Sequence, residues 1–497
     1  MMMKRYFEDL LPVEELEQLK YIPTIPEFVE WIESKWHDLP ALSDMTRTYT
    51  YGEMCERIAC KRSLLYGLGL QEGDHVAILD NTTTDAVEMF LAVTSAGYVA
   101  IMLPSQLPAP AVIGSCLKFN VRLLAYGADY ASVAEDVHCK TLKITAMDET
   151  MAPVTTVSKD APAAIFFTGG TTGAPKGAVL PHRAIMRGAL NGCFNPGKQL
   201  GCHRYAHVLP LSHVFGLIRG TMSALYTGSL WIVAANVKDT ISSLPMIKPT
   251  CIVAVPGICE IIMGLIKMYG KEFLGGQLRF IISGAANVPP KLIAEFDKVG
   301  ISLFAGYGMT EGGNLTSGNV DVLEKPTSVG KIYPCQEYKV VDGELWLRGD
   351  NVFLGYYGDP EKTTETLTED GWLKTGDLVR FDEEGYMYIV GRIKNLIVLS
   401  SGENVSPESL EEPFYKCDRL RDCLVKEENE DGRVVLTIEI YPRMEEFTGV
   451  AWEQVEEYFR NLLADVNATL PTTHRITRLT VRKEDFKRTG AMKVSRN

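Results

Sequence analysis

Short apolar runs alternate along the first third of the chain with longer stretches whose apolar residues recur at helical spacing. Residues 49–54 lead into a helix running to about Tyr66, and Gly73-Asp74 turns the chain into a strand over 75–79. A helix over 83–96 and a strand over 98–103, closed by Pro104, follow. Strand–helix–strand order predicts a mostly parallel sheet covered by helices. The middle third repeats the theme, with strands over 163–167, 207–209, 229–233, 251–255 and 278–283 and a helix from about Arg183. Two layered α/β subdomains in sequence are the expected core.

From about Ser328 the texture changes. Alternating segments over 338–341, 344–348 and 378–382, with a tight turn at Asp342-Gly343, predict a small antiparallel β subdomain. A boundary near Lys394 divides the chain into residues 1–393, a large domain, and residues 394–497, a small α+β domain. Neither an internal repeat nor a low-complexity segment is evident.

Composition narrows the function. Of 497 residues, 46% are hydrophobic, enough for a large core. The net charge of −13 argues against nucleic acid as a partner and against a polybasic membrane anchor. Acidic residues interrupt the N-terminal segment behind Lys4 and Arg5, so no signal peptide is expected, and no run is apolar enough for a membrane span. The eleven cysteines have no CxxC spacing, which favours a reducing cytoplasmic location over a disulfide framework or structural zinc.

The strongest chemical signal is Phe167-Thr168-Gly169-Gly170-Thr171-Thr172-Gly173-Ala174-Pro175-Lys176-Gly177, set between an apolar strand and a helical pattern. Glycines let backbone N–H groups approach phosphate oxygens, threonine hydroxyls add donors, and Lys176 adds positive charge. It is not a Walker A loop, because its lysine is placed between Pro and Gly. Four further tracts carry candidate chemistry: Leu209-Pro210-Leu211-Ser212-His213-Val214-Phe215-Gly216; Ser283-Gly284-Ala285-Ala286; Tyr307-Gly308-Met309-Thr310-Glu311; and Trp372-Leu373-Lys374-Thr375-Gly376-Asp377 with Gly391-Arg392. A basic C-terminal tract runs from Phe486 to Arg496 and contains Lys493. Taken singly, each has an ordinary structural reading: a packed histidine, a tight turn, a solvated carboxylate, a β turn, a solvated basic tail.

In this order the tracts make the chain resemble the superfamily of AMP-forming acyl-CoA synthetases, adenylation domains and luciferases, from Tyr49 to Arg496. The resemblance implies that ATP and Mg²⁺ convert a carboxylic acid to an acyl-adenylate, which passes to CoA or to the phosphopantetheine arm of an acyl or peptidyl carrier protein. It implies that Thr168, Gly169, Gly170, Thr171, Thr172, Gly173 and Lys176 hold the β and γ phosphates. Gly284, Ala285 and Ala286 would line adenine and the acyl pocket, Tyr307 and Gly308 would meet adenine, and Thr310 and Glu311 would serve phosphate and Mg²⁺. Asp377 and Arg392 would hold ribose. Lys394 would be the hinge of a mobile C-terminal domain, Lys493 its adenylation lysine, and Gly402 would border the pantetheine arm. His213 would border the acyl pocket. With His213, Val214 and Phe215 where α-amino acid enzymes carry an Asp, the expected acid is fatty or aromatic and lacks an α-amino group. The chain departs from the family pattern at Ala491-Met492-Lys493, where a Gly normally precedes the Lys. Compactness of residues 316–346 favours CoA over a carrier protein. A catalytically silent binding protein of the same fold is the reading from another class, and retention of Lys176, Glu311, Asp377, Arg392 and Lys493 opposes it.

Overall fold

The computed structural model describes residues 19–168, 176–195, 198–199, 203–334, 336–399, 403–430, 433–487 and 494. Local signals set its helices. In Ile25–Trp36 the Thr24 side chain accepts from the Glu27 N–H, and Ile25, Phe28, Val29, Ile32 and Trp36 fall on one buried stripe. Tyr51–Gly67 opens on a reciprocal capping box between Thr50 and Glu53. The helix Thr84–Ser95 is buried almost all round, which brings the Glu88 carboxylate into the core. Arg57 Nε at 2.6 Å and Lys61 Nζ at 3.6 Å neutralise it there.

Two large sheets carry the N-terminal part. The seven-stranded sheet runs in the order Gly355–Tyr356, Lys176–Pro181, Pro162–Thr168, Val99–Met102, His75–Leu79, Val121–Tyr126 and Lys140–Lys143. The nine-stranded sheet is centred on four parallel neighbours, Arg204–His207, Cys251–Ala254, Phe280–Ser283 and Ser302–Tyr307. Its far edge is made by Pro40–Ser43, paired in parallel with Leu230–Ile232, and by Thr48–Thr50. The expected antiparallel subdomain is a four-stranded sheet, Glu337–Val341, Glu344–Arg348, Leu373–Phe381 and Met387–Arg392. A separate apolar core gathers Ile397, Phe414, Val425, Ile438, Phe459 and Ile476, around the three-stranded sheet Leu420–Glu430, Arg433–Pro442 and Ile476–Val481. The architecture is thus the α/β arrangement that the sequence predicts, large part first and small α+β part last. Among the described residues no helix is long and apolar enough to cross a membrane.

The helix expected from about Arg183 is found as His182–Asn191. Between it and the Gly/Thr-rich tract lies a strand that the sequence did not announce. Strand Lys176–Pro181 intervenes, antiparallel to Pro162–Thr168 with Thr168 opposite Lys176, and only then does the helix His182–Asn191 begin. The tract therefore joins two antiparallel strands, and the helix follows the second of them.

Three buried histidines give the fold a pH dependence. Burial lowers His182 to about 4, His203 to about 3 and His207 to about 4 from an ordinary 6.5. His182 Nδ1 accepts from the Ile25 N–H, a role open only to a neutral ring. The folded state therefore keeps these rings neutral, whereas the unfolded chain takes up protons below its pKa. Their contribution is intact above 6.5 and is lost as pH falls from 6.5 towards 4. Each ring costs about 1.4 kcal/mol per pH unit across that window. The thermal midpoint is expected to hold between about pH 8 and 7 and to drop clearly by about pH 5. An equal midpoint at the two lower values would count against neutral burial.

Candidate active site

The parallel strands of the nine-stranded sheet present their C-terminal ends to one rim, where α/β sheets bind ligands. Residues 208–216, 284–286 and 308–316 follow those ends. Strand Phe280–Ser283 ends at buried Gly284, and Ala285 adopts φ +66°. A Cβ on Gly284 would meet Phe215 Cζ at 3.2 Å, so the Phe215 ring lies across this small-residue segment. Val214 is buried, Phe215 half-buried and His213 exposed. Of the tract His213-Val214-Phe215, the two apolar side chains are thus withdrawn from solvent and His213 lies at the surface.

Tyr307 ends strand Ser302–Tyr307, and its hydroxyl donates to Asp377 Oδ2 at 2.6 Å. Asp377 lies in Leu373–Phe381 opposite Arg392 in Met387–Arg392, and its exposure is 1%. Arg392 Nε donates to Oδ1 and Nη2 to Oδ2, the latter at 3.1 Å. Burial and the Asp377 charge push the Tyr307 phenol far above its ordinary value, so it stays a donor. Lys394, two residues on, is exposed, and its pKa is lowered by partial burial and by Arg392.

Residues 308–314 form a tight loop that contains the short turn Thr310–Gly312. A Cβ on Gly308 would sit 1.3 Å from the Asn314 carbonyl oxygen, a backbone atom with no room to yield. Gly308→Ala is expected to cost about 1–3 kcal/mol and to displace Thr310 and Glu311. Thermal melting and turnover should fall together, and a variant with wild-type values would show that the loop adapts.

Glu311 Oε1 accepts from Tyr356 Oη at 2.7 Å, and the Glu311 backbone oxygen accepts from the Phe353 N–H at 2.9 Å. Among the described residues no donor reaches Oε2. A Mg²⁺ carried by nucleotide phosphates needs only one or two protein carboxylates, so Glu311 fits that group. Among the described residues no cluster of three or more His, Cys, Asp or Glu side chains could hold a metal alone. Lys176 Nζ lies 5.6 Å from the centroid of the Tyr356 ring. Tyr356 therefore links the hairpin to Glu311, a role that the sequence reading missed. Its visible signal was Gly355-Tyr356-Tyr357-Gly358, an aromatic pair outside any core periodicity.

The structure thus groups Thr168 with Lys176 at the hairpin, and Lys176 with Glu311 through Tyr356. It groups Tyr307 with Asp377 and Arg392, and Gly284 with Phe215. Ala286 and Thr310 are half-buried on the same rim. Gly169, Gly170, Thr171, Thr172, Gly173, Gly402 and Lys493 lie outside the described residues.

A family model described as AMP-binding enzyme matches residues 29–357. The chain is 29% identical over 437 residues to 3-[(3aS,4S,7aS)-7a-methyl-1,5-dioxo-octahydro-1H-inden-4-yl]propanoyl:CoA ligase of Mycobacterium tuberculosis, covering 81% of this chain and 85% of that protein. It is 32% identical over 392 residues to 4-coumarate–CoA ligase-like 6 of Arabidopsis thaliana, covering 69% and 68%. In fold it is similar to o-succinylbenzoate CoA synthetase from Bacillus subtilis in complex with its acyl-adenylate intermediate. The TM-score is 0.78 at 22% identity, over 94% of this chain and 96% of that one.

Proposed function

Because this chain belongs to the AMP-binding enzyme family, we propose that it is an AMP-forming acid–thiol ligase, which activates a fatty or aromatic acid and transfers the acyl group to CoA. Residues 1–393 bind ATP and the acid, and residues 394–497 form the lid domain, hinged at Lys394 and carrying Lys493. In the first half-reaction a carboxylate oxygen attacks the α-phosphorus of ATP, the bond to the β-phosphate bridging oxygen breaks, and pyrophosphate leaves. Nucleophile and target are both negative, so the protein must supply positive charge. Lys493 does this between the carboxylate and the α-phosphate. Thr168, Thr171, Thr172 and Lys176 hold the β and γ phosphates, with the glycines of that tract giving their N–H groups room. Glu311 holds Mg²⁺, which offsets phosphate charge when bound. Thr310 adds a hydroxyl beside it. Tyr356 restricts Glu311 to one orientation.

Asp377 holds the ribose, with a constraint that its own contacts impose. Each carboxylate oxygen offers about two lone pairs. Oδ2 already accepts Tyr307 and Arg392, and Oδ1 accepts Arg392. One site is left, so accepting both ribose hydroxyls requires Arg392 to release a bond and turn to the nucleotide. In the second half-reaction the CoA thiolate attacks the acyl carbonyl, the bond to AMP breaks and AMP leaves. Gly402 borders the pantetheine arm in that step.

The observation that carries this reading is the family match together with the Tyr307–Asp377–Arg392 cluster at the rim. ATP–pyrophosphate exchange against fatty and aromatic acids, followed by addition of CoA, tests it. Exchange with rapid CoA-dependent release of AMP is expected. Exchange with CoA inert would point to a carrier protein as acceptor, and no exchange with any acid would overturn the adenylation reading.

A further inference from the structure

Arg219 lies within the helical segment Phe215–Met222 and exposes 2% of its surface. Its Nη1 has no hydrogen-bond partner among the described residues. The titratable groups facing it are Tyr205, Cys251, Tyr333, Cys193 and His203, none of them a carboxylate, with Tyr205 in hydrogen-bond reach. The fold treats its other buried cations differently. Lys61 is met by Asp85 and Glu88, and Arg62 donates to the Ala152 carbonyl and to Ser95 Oγ. A guanidinium cannot shed its proton to escape burial, so one left without a counter-charge is costly unless something else supplies the charge.

Its position says what that is. Arg219 follows Phe215 by four residues, and positions so spaced share a helix face roughly 6 Å apart. The segment is also wide-turned, since the Ser223 N–H donates to the Ile218 carbonyl, five residues back, a geometry frequent at functional sites. Phe215 lies across Gly284 in the segment assigned to the acyl pocket. Arg219 is therefore one turn beyond Phe215, and it faces Tyr205 and Cys251 near the N-terminal ends of their strands, at the end away from the rim.

Resting on the ligase reading above, we propose that Arg219 determines specificity at the closed end of the acyl pocket, and that the preferred acid carries a second carboxylate remote from the one that reacts. The body of the acid is apolar, to suit Val214 and Phe215, and its far carboxylate completes the hydrogen bonding of the guanidinium. A site built around such a pair rejects the analogue lacking the charge far more strongly than an apolar pocket rejects a missing methyl.

Matched acids test this on the wild-type protein. A series of α,ω-dicarboxylic acids is compared by pyrophosphate exchange with monocarboxylic acids of equal length, and carboxy-substituted aryl acids with methyl-substituted ones. At the best length the diacid is expected to have a kcat/KM at least about tenfold higher, mainly through KM. Arg219→Leu is expected to reverse the preference with the thermal midpoint held or raised, and Arg219→Lys to keep part of it. Exchange with monoacids and no preference for any diacid would overturn this inference and leave the ligase reading standing. A diacid preference that survives in Arg219→Leu would overturn it too. No exchange with any acid would overturn the ligase reading, and this one with it.

Discussion

Asp377→Ala is expected to lower kcat/KM for ATP by about 100- to 10,000-fold, the effect of two lost hydrogen bonds to a charged acceptor. The same substitution should lower stability, because Asp377 is 1% exposed and is the acceptor for both Tyr307 and Arg392. Breaking a buried pair costs about 3–5 kcal/mol. The Arg392 side chain is 40% exposed and can be rehydrated, so the low end, about 3 kcal/mol, applies. Asp377→Asn separates the two effects. Its amide oxygen still accepts from Tyr307, so the fold should lose less while ATP binding still fails. Tyr307→Phe removes one donor and should cost about tenfold. Combined with Asp377→Ala it should add little, since both changes act on one network. Exchange rates against ATP concentration and thermal melts read all three variants. An Asp377→Asn enzyme with unchanged KM for ATP would remove Asp377 from the ribose site.

This cluster shows what the sequence could and could not disclose. Asp377 and Arg392 lie in ordered motifs, and their pairing follows from two adjacent strands of a hairpin. Tyr307 is seventy residues from Asp377 along the chain, and nothing local signals that its hydroxyl would point there. The strand Glu344–Arg348 was legible to the residue, because five alternating positions sit beside an Asp-Gly turn. The strand Lys176–Pro181 was not. It holds Gly177 and Pro181, both poor strand formers, and its place beside Pro162–Thr168 is set by the hairpin rather than by propensity. Gly177 is there because a Cβ would lie 2.4 Å from the Phe119 ring, a tertiary reason with no sequence signal. The pairing of Pro40–Ser43 with Leu230–Ile232 is likewise a long-range choice, made by the layering of the two sheets. Arg219 had a signal that went unread, a lone charge inside the apolar run from Val214 to Met222.

Lys493→Ala is the second substitution with a large expected effect, and its value is that the two half-reactions should respond differently. Attack of a carboxylate on the α-phosphate brings two anions together, and removing one preorganised positive group from such a site costs about 100- to 1,000-fold. Attack of a thiolate on the acyl-adenylate breaks a bond to carbon, and the phosphate there is only a leaving group. Lys493→Ala should therefore lose pyrophosphate exchange by that factor yet still form thioester when given the acyl-adenylate directly. The thermal midpoint should not move, since the tract from Arg488 to Arg496 is basic and carries no apolar periodicity. Lys493→Arg should recover little, because a planar fork does not replace a compact ammonium between two oxyanions. Equal loss in both half-reactions would mean that Lys493 supports the lid as a whole. Unchanged exchange would place the adenylation charge elsewhere, and the Ala491-Met492 departure from the family pattern would then mark a chain that no longer uses this lysine.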